Sequence, residues 1–364
     1  MGSILLTAYL GELPESVTAK HRTMNPPVSA EGPRTLSFPV GLLHGAGGHI
    51  LSRIASSIAV LAVVSVATFG LTSLLPGDPT TFLLPAGAPA GDVAGLRNDL
   101  NLDSPVPQRF VHWLAKALGG DLGAVYRTHE PVTEAILRTL PVTAQLVFSV
   151  QFLALVLGVA VGVRAARGPG SRFDRLSRFG SFSVMAIPSF AVALALVFLF
   201  AVHLRWLPAV GFVRFGDDPS GNIRSLVLPT ITMALPAGAR YSRLVRIEMM
   251  TTLQGNHVQL ARAMGIPERR IAFRHALRQS LLSVLTLFSL EFGLLFGGAV
   301  LVERVFAMPG LGSLFLESIG RREYVAVQGI VLTLAVIVVL CNLLGEIARS
   351  LLDPRIRVPR SSGA

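Results

Sequence analysis

The sequence predicts an all-α, polytopic membrane protein with six transmembrane helices and both termini in the cytoplasm. Only 15% of its 364 residues are charged and 51% are hydrophobic, whereas soluble domains carry roughly 25% charged residues. The hydrophobic residues occur in long uncharged runs, and the arginines concentrate between alternate runs. Both features are typical of helices that cross a bilayer and of basic loops that stay on one side of it.

Six uncharged runs are candidates for the membrane-spanning helices. Roughly 20 apolar residues are needed to cross the hydrocarbon core. Five runs reach that length: 54–77, 139–163, 179–204, 279–302 (interrupted only by Glu291) and 324–345. The sixth run, 225–239, is shorter, contains two prolines and continues into a basic segment. Hydropathy alone does not show whether this run spans the membrane.

The distribution of arginines decides whether the sixth run, 225–239, spans the membrane. The segment 164–178 has five arginines against one acid, and 240–278 has eight against two. Because cytoplasmic loops are enriched in Lys and Arg, we predict that both are cytoplasmic. Two crossings must then lie between them, so 225–239 also spans the membrane. The outer segments are then 78–137, 205–224 and 303–323. The net charge of +11 is explained by this asymmetry, and no nucleic-acid partner is needed.

The chain divides by composition into a tail, a membrane domain and a short end. Residues 1–49 are rich in Pro, Gly and Ser and are predicted to form a disordered cytoplasmic tail, or an extension upstream of a true start at Met24 or later. Residues 50–357 form the transmembrane domain, and residues 358–364 form a C-terminal tail.

Several chemistries are excluded by residue type and spacing. The two lysines, Lys20 and Lys116, do not follow a G-x-x-x-x-G pattern, so the chain has no phosphate-binding P-loop. The histidines and the single cysteine show no metal-ligand spacing. Cys341 lies in the last span, where it is predicted to be a small buried hydrophobic residue. We therefore predict no catalytic residue, no metal site and no cofactor on this chain.

The segment HVQLARAMGIPERRIAFRH (257–275) is too charged to cross a bilayer and too regular for a linker. Helical spacing places Val258, Ala261 and Met264 along one face, with Leu260 nearby and Arg262 pointing elsewhere.

A turn then separates this helix from a second one. Gly265 can adopt the left-handed conformation that ends a helix, and Pro267 suits the start of the next helix. The small side chain of Ala263 permits close approach by another surface. Lipid headgroups and a partner protein both fit such a helix.

The segment resembles the cytoplasmic EAA loop of ATP-binding-cassette (ABC) importer permeases. The matching positions of its A-R-A-x-G and I-x-x-x-H-x-L patterns are Ala261, Arg262, Ala263, Gly265, Ile266, Ile271, His275 and Leu277. Seven further motifs occur in the order of the dipeptide, oligopeptide and nickel subgroup: LLPGDP (74–79), LNLDSPVPQRFVHWL (100–114), GGDLG (119–123), AIPSF (186–190), RWLPAVG (205–211), VFAMPGLG (305–312) and LLDPR (351–355). The resemblance covers about 50–357.

This resemblance implies the type I ABC importer permease (MetI-like) fold in the plasma (inner) membrane of a prokaryote. It implies that the loop 251–278 carries a coupling helix that docks into a separate ATPase. The implied ATPase-coupling residues are Val258, Leu260, Ala261, Arg262, Ala263, Met264 and Gly265.

The resemblance also implies a set of partners. A second, homologous permease subunit completes a heterodimer, and two ABC ATPase subunits, or one fused ATPase, bind ATP and Mg. An extracytoplasmic substrate-binding protein delivers cargo, and the outer segment 78–137 helps to receive it.

Polar residues inside spans are the candidates for the translocation pathway, because ionisable groups in a membrane are costly and often functional. Glu291 lies in the fifth span, and Gln145 and Gln151 lie in the second. Glu291 could attract the ammonium end of a peptide or pair with an arginine of a neighbouring span. An interhelical hydrogen bond is the structural alternative for all three.

The predicted function is that of a permease subunit for dipeptides or oligopeptides. Nickel-chelate or other small-solute importers share the same motifs and remain the alternative. A transporter driven by an ion gradient would predict internal repeats with paired broken helices, and a membrane scaffold would leave the loop as a simple anchor. Neither accounts for the ARAMG loop.

Overall fold

The computed structural model describes residues 46–74, 87–99 and 103–352. Within these ranges the regular structure is helical, apart from one isolated bridge between Ala124 and Pro131. The predicted C-terminal tail and nearly all of the predicted N-terminal tail lie outside the described residues. We number the helices α1 (Ala46–Leu74), α2 (Ala90–Asp99), α3 (Val106–Leu118), α4 (Val132–Arg167), α5 (Arg172–Ala186), α6 (Ser189–His203), α7 (Pro219–Leu253), α8 (Asn256–Ala263), α9 (Glu268–Val305), α10 (Leu311–Gly320) and α11 (Tyr324–Leu352).

Helices α4 and α7 form the centre of the fold and pack more extensively than any other pair in the described part of the chain. Their contact is close because α4 presents glycines at positions 158 and 162. A Cβ atom on Gly158 would lie 2.5 Å from the Cβ of Tyr241, and one on Gly162 would lie 2.7 Å from the carbonyl oxygen of Ser242. This G-x-x-x-G spacing lets the helix backbones approach closely, as small residues do at membrane helix interfaces.

Helices α5 and α6 meet at an angle of 102°, so the predicted span 179–204 is not one straight helix. Ile187 is extended, with φ −85° and ψ 127°, and Pro188 precedes the first turn of α6. A residue before proline disfavours the helical conformation, which explains why the helix breaks there. The single helix predicted for 179–204 is instead two helices, because residues 179–186 belong to α5 and residues 189–203 belong to α6.

Two contacts hold α5 alongside the second half of α7. The Arg246 guanidinium donates two hydrogen bonds to the buried Asp174 carboxylate, one of them 3.0 Å long between Nη2 and Oδ2. The Ser181 and Ser242 hydroxyls are 3.3 Å apart, about two turns further along α5 and about one turn earlier along α7. The basic segment around 164–178 is thus attached to α7.

Helix α7 is 35 residues long and contains the whole of the ambiguous run 225–239. Pro229 and Pro236 lie inside it without ending it. The arginines at 240, 243 and 246 therefore lie on a helix, whereas the sequence analysis assigned them to a cytoplasmic loop. The loop proper begins only after Leu253.

Four described helices are long and apolar enough to cross a membrane, and the α5–α6 pair can supply a fifth crossing. The four are α1, α4, α9 and α11. Helix α7 has the length but is not among these four. The all-α, multi-span fold class is confirmed, while the count of six and the side of each terminus stay predictions.

Two buried carboxylates accept hydrogen bonds at the ends of the helices that lie opposite the loop containing α8. Glu303 accepts hydrogen bonds from the Thr143 hydroxyl (2.5 Å) and the Ser313 backbone N–H (3.0 Å) at the start of α10, where a negative charge complements the helix dipole. A side chain at Gly310 would overlap this carboxylate, which explains a glycine of the MPGLG motif. Glu323 accepts from the backbone N–H groups of residues 126 and 127 at 3.0 and 3.3 Å. It thereby ties the segment 78–137 to the start of α11.

Helix α1 packs against α3 and α11. Phe69 of α1 lies 5.4 Å from Phe110 and 5.7 Å from Trp113 between ring centroids. Gln328 of α11 donates to the hydroxyl of Thr72 at 2.5 Å. These contacts join the first predicted span to α3 and to the last predicted span.

Candidate coupling loop and intramembrane polar cluster

The loop between α7 and α9 folds as a helix and a tight turn. Helix α8 follows Gly255 and ends at Ala263. Gly265 has a φ of +77°, a conformation that glycine adopts without steric cost. The Ile266 backbone N–H donates to the Ala261 carbonyl at 3.1 Å across the turn. The helix-turn-helix predicted for 257–275 is present, and its second helix continues into the predicted fifth span.

One face of α8 is buried against the chain itself. Val258 is completely buried and Ala261 is 5% exposed, and both pack against Ile271 of α9. Leu253 and Ile266 close the cluster from the sides. Val258 and Ala261 therefore anchor α8 to α9 and are not on the surface that a partner would contact.

The opposite face of α8 is open. Successive helical residues are rotated by about 100°, which places Ala263 about 170° from the middle of the Val258–Ala261 face. Leu260 is 61% exposed and Met264 is 64% exposed. The prediction that Met264 shares a face with Val258 and Ala261 is wrong, because the helix ends at Ala263 and the Met264 side chain is exposed. Leu260, Ala263 and Met264 thus form a small apolar surface, which we call the α8 outer face.

Arg262 stabilises the turn between α8 and α9. Its Nε lies 2.6 Å from Glu268 Oε1, its Nη2 lies 3.3 Å from Oε2, and its Nη1 lies 3.5 Å from the Leu253 carbonyl oxygen. The hydrogen bond to Glu268 raises the pKa of Arg262 above its ordinary value. Arg262 therefore connects the end of α8, the start of α9 and the end of α7.

The three predicted pathway residues lie in interhelical hydrogen-bond networks. Gln145 and Asn222 exchange amide hydrogen bonds of 2.6 and 3.3 Å between α4 and α7. Gln151 donates at 2.8 Å to both the Tyr241 hydroxyl and the Phe288 carbonyl. Its Oε1 is buried and has no hydrogen-bond partner among the described residues.

Glu291 is completely buried and paired with Arg240 of α7. The guanidinium donates from Nε to Oε1 and, at 2.9 Å, from Nη2 to Oε2. Of the two roles predicted for Glu291, pairing with an arginine of a neighbouring span is the arrangement found. Contact of Glu291, Gln145 or Gln151 with cargo stays a prediction.

Sequence reasoning missed two groups of residues. Arg240 ends an uncharged run and is therefore predicted to lie in a loop, although the mid-span acid Glu291 indicates a charged partner on a neighbouring helix, because charges inside a membrane commonly pair. Gly158 and Gly162 were passed over within an apolar run, although their spacing is a known signal for close helix packing.

Comparisons with known proteins agree on a family. The model described as "Binding-protein-dependent transport system inner membrane component" matches residues 158–358, and the model for the N-terminal part of such membrane components matches 48–147.

Relatives match nearly over their whole length. A peptide transport system permease protein of Brucella abortus is 37% identical over 308 residues, which are 85% of this chain and 98% of the relative. The oligopeptide transport system permease protein AppB of Bacillus subtilis is 33% identical over 311 residues, 85% of this chain and 98% of the relative. The glutathione transport system permease protein GsiC of Pectobacterium atrosepticum is 34% identical over 310 residues, with the same coverage of both chains.

Among solved structures, an inward-facing form of the MetNI methionine ABC transporter matches with a TM-score of 0.50 and 17% identity, covering 60% of this chain and 96% of that chain. This likeness supports the fold. The chain therefore belongs to the family of binding-protein-dependent transport system inner membrane components, the multi-pass permease subunits of ABC importers.

Proposed function

We propose that this chain forms half of a translocation pathway for peptides and works with a second homologous permease subunit, ABC ATPases and an external binding protein. The observation that supports peptide cargo is the similarity of 31–37% to relatives named for peptide, oligopeptide and glutathione transport, over about 85% of the chain. Glutathione is itself a small peptide, so these names describe one chemical class. The similarity runs through both the transmembrane helices and the α8 loop.

The α8 outer face is where we propose that an ATPase docks. A rigid support is required if motion of the ATPase is to move the transmembrane helices. Val258 and Ala261 supply that support because they are buried against Ile271, and α9 continues from there into a span without interruption. Force applied to Leu260, Ala263 or Met264 would therefore be transmitted directly to α9.

ATP and Mg are bound by the partner ATPases in this proposal. The chain itself carries no P-loop sequence. The purified chain alone therefore has no ATPase activity, and hydrolysis requires the assembled complex.

The substitution Ala263→Arg tests the docking proposal. Ala263 is exposed on the α8 outer face, so a long charged side chain there leaves the fold intact but separates the two surfaces. We expect loss of ATPase subunits during purification of the complex, together with a loss of stimulated hydrolysis of about tenfold or more, because an unpaired charge buried in an interface costs several kcal/mol.

Thr251→Arg is the matched control, since it adds the same charge at an exposed position at the end of α7. It should leave co-purification and hydrolysis near wild type. If Ala263→Arg also retains both, α8 does not dock an ATPase. The helix then rests on lipid, where an added arginine is favourable because it attracts anionic headgroups.

A further inference from the structure

Arg240 lies at the depth of the middle of a span. Its partner Glu291 is 13 residues after Arg278 and 14 residues before Val305 on α9, inside the apolar run 279–302. Because Arg240 Nη2 and Glu291 Oε2 are 2.9 Å apart, the guanidinium lies at the same level. At about 1.5 Å per helical residue, this level is about 20 Å from either end of the run Arg278–Val305.

The two partners differ sharply in exposure. The Glu291 side chain is 0% exposed, whereas the Arg240 side chain is 29% exposed. A guanidinium carries five N–H groups, and the pair with Glu291 uses one on Nε and one on Nη2. The other three N–H groups have no hydrogen-bond partner among the described residues.

A partly exposed guanidinium at this depth cannot face hydrocarbon without a large cost, so charged groups inside membranes face a water-filled cavity or the interior of a bundle. In a permease, that cavity is the translocation pathway. Glu291 cannot serve there as the cargo contact, because it is fully buried and both of its oxygens accept from Arg240. The exposed donors belong to Arg240.

We propose that Arg240 lines the translocation pathway and that its free N–H groups bind the terminal carboxylate of a peptide as it passes. This inference rests on the proposed peptide function and names the part of the cargo that is recognised. Guanidinium groups match carboxylates in geometry and can donate two parallel hydrogen bonds. The charge of Glu291 offsets that of Arg240, which keeps the attraction weak enough for release of the cargo.

The test uses the complete complex in proteoliposomes and compares trialanine with trialanine amide, which lacks the terminal carboxylate. The binding protein is loaded to saturation with each peptide beforehand, so the discrimination measured afterwards belongs to the membrane subunits. The wild-type complex should transport the free acid about tenfold faster than the amide, the factor expected for one charge-assisted hydrogen bond.

The variant is Arg240→Gln combined with Glu291→Gln, because removal of one partner would leave an unpaired charge buried in the bundle. In this double variant the ratio of acid to amide should fall close to one. Arg243→Gln is the matched control: it removes a cation from the next turn of α7, where Arg243 stacks on Phe182 at 4.8 Å, and it should keep the wild-type ratio.

A second variant, Arg240→Lys, keeps Glu291 paired but loses the planar fork, and its ratio should fall by roughly threefold or more. Equal transport of acid and amide by the wild-type complex, or a wild-type ratio in the two Arg240 variants, overturns the role of Arg240 while peptide transport stands. Failure of the wild-type complex to transport either peptide refutes the peptide function, and this inference with it.

Discussion

The close packing of α4 against α7 allows a quantitative prediction for Gly158→Ala. The added Cβ would lie 2.5 Å from the Cβ of Tyr241 and 2.8 Å from the carbonyl oxygen of Gly238, whereas ordinary contact begins at 3.4 Å. The distance from the added Cβ to the Tyr241 Cβ would therefore be 3.4 − 2.5 = 0.9 Å below the ordinary contact distance. Tyr241 is completely buried and its hydroxyl accepts a hydrogen bond from Gln151 of α4, so it has little room to move. Helices α4 and α7 must separate.

Two opposing effects set the size of the change. Overpacking a core costs about 1–3 kcal/mol, and replacing glycine by alanine within a helix gains about 1 kcal/mol. The expected net result is a loss of up to about 2 kcal/mol in the free energy of unfolding. Gly162→Ala should behave in the same way, since its Cβ would lie 2.7 Å from the Ser242 carbonyl oxygen.

Thermal unfolding of the purified complex in detergent measures this effect, with the folded fraction followed by size-exclusion chromatography. Gly297→Ala in α9 is the matched control, because its Cβ would meet nothing within 4 Å. That variant should be as stable as wild type or slightly more stable. If Gly158→Ala and Gly297→Ala unfold at the same temperature, the close α4–α7 contact does not limit stability and the packing argument is wrong.

Two further predictions concern topology and the outer loop. In intact cells, an impermeant thiol reagent should label an exposed cysteine introduced at Asp92 in 78–137 but not one introduced at Arg172 in 164–178. The reason is that the arginine asymmetry places these two segments on opposite sides of the membrane. Equal labelling would contradict the six-span topology. Glu323→Gln should speed hydrogen exchange of the backbone N–H groups at residues 124–131 by roughly tenfold. The glutamine side chain has one acceptor oxygen, whereas the carboxylate uses two. Unchanged exchange would show that Glu323 does not hold this loop.

Much of the architecture could be predicted from the sequence, because hydropathy and charge act over single helices. Run length predicts which segments cross the bilayer, and arginine counts predict which loops are cytoplasmic. The helix-turn-helix at 257–275 was also predictable, because the conformational freedom of Gly265 and the fixed φ of Pro267 are local properties.

The break between α5 and α6 was only partly predictable. Pro188 indicates a kink, but its angle of 102° depends on how α5 packs against α7 through Asp174 and Arg246. Likewise, periodicity placed Val258, Ala261 and Met264 on one face of α8. Only packing against Ile271 shows that the first two are buried and that the outer face is formed by Leu260, Ala263 and Met264.

The sequence by itself determined the family, the membrane-spanning character and the position of the helix-turn-helix at 257–275, because these follow from composition, periodicity and short motifs. The tertiary structure decided which buried polar groups meet. Arg240 and Glu291 are 51 residues apart, and no local pattern pairs them. Their partnership follows from the depth at which α7 and α9 pack, since that depth brings the guanidinium of one helix to the carboxylate of the other, and pairing lowers the cost of both charges inside a membrane.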